Sequence, residues 1–244
     1  MAFAPDARAG AWPQEKGHGL AIATVTVSRA SDGFDDSGAI VETPEFRKED
    51  YELYSEYGLT NRITALLHTR YSDLHPEKPG VNASGLAEAE LGMRYGLYAG
   101  RRGVISVQAS VFAPGDTVLT SGSLDGELRI NLGSNFKLWR WTGFLDTGFA
   151  YRGRMNRFRD ELRSDVTIGL DLSPRFQLLA RSFTVLTIGP GRTTAFQGQM
   201  SKAELSVLYR VTPRWAVQLG GLTTLTGTGV PRERAAVAAL WYRF

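Results

Sequence analysis

Cysteine is absent from the 244 residues, so no disulfide staples the chain and no cysteine metal set exists. Histidine is nearly absent too: His18 and His75 lie outside the periodic segments, and only His68 sits within one. No phosphate-binding glycine loop, EF-hand loop or His-x-Ser pair occurs, which leaves metal, nucleotide and cofactor chemistry without candidate residues. No run approaches the ~18 consecutive apolar residues that a membrane helix needs. That absence carries no weight against a transmembrane β-barrel, whose strands are apolar on one face only. Charge of one sign is also in short supply. The net charge is +3, and the basic residues are scattered singly, which argues against a nucleic-acid footprint.

What is present is glycine, 27 residues of it, and alternation. In the last stretch Phe244, Tyr242, Leu240, Ala238 and Ala236 recur every second residue, so they share one strand face. The pattern repeats along the chain. Tyr51, Leu53 and Tyr57 oppose Glu52 and Glu56; Leu162, Val166, Ile168 and Leu170 oppose Glu161, Arg163, Asp165 and Asp171; Ala203, Leu205, Val207 and Tyr209 oppose Lys202, Glu204 and Arg210. About twelve such strands are expected, each of ~10 to 14 residues and long enough to cross a bilayer at a tilt.

The connections alternate between two lengths. Short turns are expected near 58–61, 99–103, 133–138, 173–175 and 212–214, and longer loops near 30–45, 73–84, 113–123, 152–160, 189–199 and 226–232. The aromatics sort with them. Tyr57, Tyr95, Trp139, Trp141, Phe176, Tyr209 and Trp215 fall at short-turn ends, and Tyr71, Phe112, Phe149 and Tyr151 at long-loop ends, as two interfacial girdles would. The expected architecture is an all-β, antiparallel up-and-down transmembrane β-barrel at 18–244. It is preceded by a segment, 1–17, that is either the remnant of a signal peptide or an ordinary disordered terminus.

Two features carry a resemblance. The closing alternation ending in Leu240, Tyr242 and Phe244 resembles the last strand of bacterial outer-membrane β-barrels, which implies an assembly signal read by the barrel-assembly machinery. Tyr54-Ser55-Glu56-Tyr57-Gly58-Leu59-Thr60-Asn61-Arg62-Ile63 resembles a hairpin of small proteobacterial outer-membrane transporters of the meta-pathway phenol-degradation type. Leu172-Ser173-Pro174-Arg175-Phe176 and Val211-Thr212-Pro213-Arg214-Trp215 look like variants of its turn. The resemblance implies location in the cell outer membrane among its lipids. It transfers no functional residue.

If the apolar face meets lipid, the opposite face lines a lumen. Its selectivity candidates are Glu88, Glu90, Arg94, Glu127, Arg129, Asp146, Glu161, Arg163, Asp165, Arg181, Lys202, Glu204 and Arg210, with Arg62, Arg70 and Arg243 on the same face. Acid and base are balanced, so the charges either brace the wall as ion pairs or create a transverse field. The expectation is a monomeric, non-enzymatic channel for small polar or aromatic solutes, with no obvious inserted plug. Three alternatives stay open: a non-conducting structural or adhesive barrel, a membrane-embedded hydrolase using His68, and a soluble barrel with its faces reversed.

Overall fold

The computed structural model describes residues 10–76, 82–101, 103–115, 124–154, 159–190 and 199–244. They form twelve long strands and one two-residue strand. β1 spans Gly19–Phe34, β2 Ile40–Gly58, β3 Ile63–Pro76, β4 Ala83–Gly100, β5 Gly103–Pro114, β6 Asp125–Leu138 and β7 Trp141–Arg154. β8 spans Asp160–Asp171, β9 Phe176–Ile188, β10 Met200–Arg210, β11 Trp215–Gly227, β12 Val230–Pro231 and β13 Arg234–Arg243. Sequential long strands pair antiparallel throughout, and β1 pairs with both β13 and β2, so the sheet closes on itself and leaves no edge among its long strands.

Alternation dictates which face goes where. Leu53, Leu91, Leu128, Ile168, Leu205, Leu219 and Leu240 are exposed on the outer surface. Glu56, Arg94, Glu127, Glu161 and Glu204, of opposite parity, are buried inside. This polarity excludes the reversed soluble barrel: a water-soluble wall would not present an apolar band to solvent and bury its charges.

Three short turns have one geometry. Thr60, Ser173 and Thr212 each accept two backbone N–H bonds through the side-chain hydroxyl, from Arg62 and Ile63, Arg175 and Phe176, and Arg214 and Trp215 respectively. The same short motif therefore folds the same way wherever it occurs, because the hydroxyl satisfies the turn locally. At this end the seam is dressed with rings. Trp215 stacks on Tyr242 at 4.4 Å, Tyr242 on Phe244 at 5.8 Å, and Phe244 on Tyr57 of β2 at 6.3 Å. Gly19 leaves the slot through which the Phe244 ring crosses β1.

Several expectations need correction. The polar stretch 30–45 is mostly strand: β1 and β2 continue to a turn at 35–39, where the Asp35 carboxylate accepts bonds from the Ser37 and Ala39 backbone N–H groups. A hydrogen bond donated by the Ser37 hydroxyl, together with those from the backbone, holds the Asp35 carboxyl below its usual pKa. Its polarity misled because strand that projects beyond the bilayer needs no apolar face. The turn expected at 133–138 lies instead at Trp139-Arg140, with Trp139 at φ 54°. Arg62 sits exposed in a turn, not in the lumen. Phe112 points inward, its ring under the Arg152 guanidinium at 3.8 Å. Of the expected terminal segment, residues 1–9 lie outside the described residues, 10–14 are packed inside the barrel, and 15–18 are exposed at its short-turn mouth.

Candidate functional site

The lumen is built in layers, beginning with that N-terminal stretch. Ala11 donates its N–H to the Asp146 carboxylate at 2.6 Å and accepts a bond from the Ser106 hydroxyl at 2.8 Å. Gln14 donates its backbone N–H to Thr64 at 2.9 Å and its side-chain amide to Glu56 at 2.6 Å. Lys16 then bridges to Gly58, and the chain turns into β1. Glycines of the wall, Gly58 beside Glu15 among them, admit it. A Cβ at Gly133 would stand 2.6 Å from the Trp12 ring, and one at Gly96 would stand 2.9 Å from Pro13. Gly133 is thus a strand residue whose missing side chain is a socket, which is why it resembled a turn.

Trp12 meets Phe144 edge to face, with centroids 5.8 Å apart. Around this pair the short-turn half of the lumen is apolar: Leu20 and Ile22 of β1, Phe144 of β7, Leu179 of β9, Leu208 of β10, Ala216 of β11, and Ala239 and Trp241 of β13. The charged groups at this depth are buried and multiply hydrogen-bonded, with the Arg94 Nε left unpartnered. Arg94 donates to Glu56 at 2.9 Å, Gln108 at 3.2 Å and the Tyr54 hydroxyl at 3.3 Å, while Tyr54 itself donates to Glu56. Across the lumen Trp241 donates its indole N–H to Gln218 at 2.9 Å, and Gln218 donates to Glu204 at 2.8 Å.

Toward the long-loop end the lining becomes a ladder of ion pairs. Arg152 bridges Glu88 and Asp125, both at 2.9 Å, and Arg154 joins Asp125 to Glu161. Arg163 pairs with Glu161 at 2.8 Å, while Arg129 pairs with Glu127 at 2.9 Å and with Asp165. Arg181 approaches Glu204 at 3.8 Å. Lys48 and Lys202 converge on Glu233, at 3.4 and 2.7 Å. Burial opposes the charge of Glu233, yet the two ammonium groups outweigh it and hold its pKa at about 2. Water still reaches the ladder, since the side chains of Asp165 and Arg163 keep 35% and 24% of their exposure.

The candidates therefore divide. Glu88, Glu90, Glu127, Arg129, Glu161, Arg163, Asp165 and Lys202 line the wet half, Arg94 and Asp146 are buried in the packed half, and Arg181 and the buried Glu204, in register on β9 and β10, meet at the boundary. Arg210 pairs with Asp171 at 2.7 Å at the short-turn mouth, in a basic cavity of about 760 Å³ shared with Arg140, Arg175, Arg214 and Arg243. His68 sets its ring nitrogens against Glu52 at 3.0 Å and Glu88 and Glu90 at 4.0 Å. Its partners among the described residues are carboxylates and no serine, so no Ser–His pair forms. Tyr57, Tyr95, Phe176 and Trp215 face outward at the short-turn end. Beside them Arg140 stacks on Trp139 and Trp141 at 5.0 and 5.3 Å.

A closed wall that is apolar outside, charged inside and threaded by its own N-terminal segment defines a transmembrane β-barrel of the outer-membrane type. No protein-family model matches the sequence, and no curated protein matches it. Solved structures share the fold. An outer membrane channel from Pseudomonas putida F1 aligns over 98% of this chain and 100% of its own, at 11% identity and a TM-score of 0.73. The NanC porin aligns over 90% and 98% at 8% identity and a TM-score of 0.61. The KdgM porin, in complex with disordered oligogalacturonate, aligns over 92% and 99% at 9% identity and a TM-score of 0.56.

Proposed function

We propose that the chain is an outer-membrane channel passing small polar or aromatic solutes passively, as a monomer, with its own N-terminal segment as the constriction. The observation that carries this reading is the contrast within the lumen. A wet, charged passage with Asp165, Arg163 and Glu52 in contact with water leads to a narrow zone occupied by one short strand of chain around Trp12. A barrel built only as a scaffold would need no wet half. Shared fold with known channels and porins supports the reading, and among the described residues His68 faces carboxylates rather than a serine. In this reading Leu240, Tyr242 and Phe244 present the last strand to the assembly machinery, and the outer rings anchor the barrel in lipid.

Single-channel recording on the refolded protein in a planar bilayer tests it. Stable conductance steps are expected, several times larger in Gly133→Leu, where the Trp12 socket is filled and the segment displaced. Insertion without conductance in both proteins refutes the channel reading.

A further inference from the structure

On the outer face at the long-loop end, four adjacent strands place basic residues directly opposite one another. Arg234 of β13 pairs in register with Arg29 of β1, Arg29 with Arg47 of β2, and Arg47 with His75 of β3. Parity fixes their direction. Arg29 follows Val25, Arg47 precedes Tyr51, His75 follows Tyr71, and Arg234 precedes Leu240, each by an even number of residues along an unbroken stretch of strand, and those four are exposed outer-face residues. With neighbouring strands about 4.8 Å apart, three guanidinium groups arise within roughly 10 Å of backbone.

Such a row costs stability, because like charges directly opposite in a sheet repel. Nearby acids do not fully neutralise it. Arg47 pairs with Glu49 at 2.6 Å, His75 with Asp73 at 3.1 Å, and Arg234 approaches Asp32 at 3.6 Å, but the two arginine side chains keep 48% and 65% of their exposure. Exposed pairs of this kind are worth little. Arg29 has no acidic partner among the described residues.

The height of the row matters as much as its charge. Tyr51 and Tyr71 face each other across β2 and β3, with ring centroids 6.5 Å apart, and mark the upper girdle. Arg47 and His75 lie four residues further out, about 13 Å along the strand and about 10 Å along the membrane normal at a ~40° tilt. That is head-group depth. A cavity of about 720 Å³ opens there, lined by the three row arginines, His75 and Arg232 against two carboxylates, Asp32 and Glu45.

We propose that this row is a binding site for the phosphorylated sugar head of an outer-leaflet glycolipid, the arginine forks taking its phosphates. The site rests on the outer-membrane reading above. Native mass spectrometry of the full chain in detergent tests it, with bisphosphorylated lipid A, its dephosphorylated form and inorganic phosphate as probes. Arg29→Gln/Arg47→Gln/Arg234→Gln is compared with wild type and with Arg62→Gln/Arg175→Gln/Arg214→Gln, which removes equal charge from the opposite rim. The expected result is lipid A bound at least about tenfold more tightly than its dephosphorylated form, with that preference lost in the first variant only. Equal loss in both variants, or none in either, overturns the site. Competition by millimolar inorganic phosphate overturns the assignment to lipid. Gel migration of unheated samples reports whether each variant is still a barrel, so a collapsed fold is distinguishable from a lost site.

Discussion

The two halves of the lumen are made of different materials. Near the short turns, Trp12, Phe144, Leu20, Leu179, Leu208 and Trp241 pack as a soluble core would, and the charged groups among them are few, buried and multiply bonded. Near the long loops, Arg129, Arg163, Asp165 and Lys202 are half-buried members of a ladder of ion pairs that water still reaches. One half holds a fixed shape and the other a field. A narrow channel needs both, since shape sets what passes and field sets its charge.

The largest expected effect breaks the packed half. Arg94→Met strands the Glu56 carboxylate in a buried site, so the barrel should lose about 3–5 kcal/mol in urea unfolding. Adding Glu56→Gln should recover most of that loss, because both charges then leave together. If the single variant is as stable as wild type, the packed half is wetter than its geometry implies.

Acid attacks the other half. Glu233 is depressed to about 2 in the fold, against about 4.5 for a free carboxyl, so its stabilising effect is fully present above about pH 4.5. It is lost as pH falls toward 2, and is worth about 3 kcal/mol at most. Hydrogen exchange should therefore rise at the β12 connection on acidification before it rises around Trp12. Glu233→Gln should abolish this pH dependence while leaving Trp12 protected. Simultaneous opening of both ends would erase the distinction between the halves.

Much of this was legible in sequence, because alternation and turn chemistry are local. The face of Leu205 follows from Leu205 and its neighbours alone, and Thr60, Ser173 and Thr212 satisfy their own turns. What escaped depends on partners distant in the chain. Nothing near Trp12 announces that Gly133, 121 positions on, leaves a socket for it. Leu20, Ile22, Phe144 and Trp241 were hidden because an apolar residue on a polar face looks like noise until several strands place theirs at one depth. The basic row was invisible for the same reason: Arg29, Arg47, His75 and Arg234 are isolated charges until register aligns them.

The smallest effect is the most discriminating. Asp165 and Arg163 both reach lumen water from β8, two residues apart on one face, and carry opposite charge. If the long-loop half acts as a field, Asp165→Asn should shift the reversal potential in a salt gradient toward anion permeation and Arg163→Gln toward cation permeation. Neither should change the step size by much, because the constriction lies elsewhere. The shifts should shrink as salt rises, since screening shortens from ~30 Å at 0.01 M to ~8 Å at 0.15 M. Glu204→Gln, buried beneath Gln218 and Ser206, should leave the reversal potential almost unmoved, because its charge is held by donors and kept from passing ions. Shifts of one sign from both β8 variants would mean that removing either partner merely rearranges the ladder. In that case the ion pairs brace the wall, and selectivity belongs to the packed half alone.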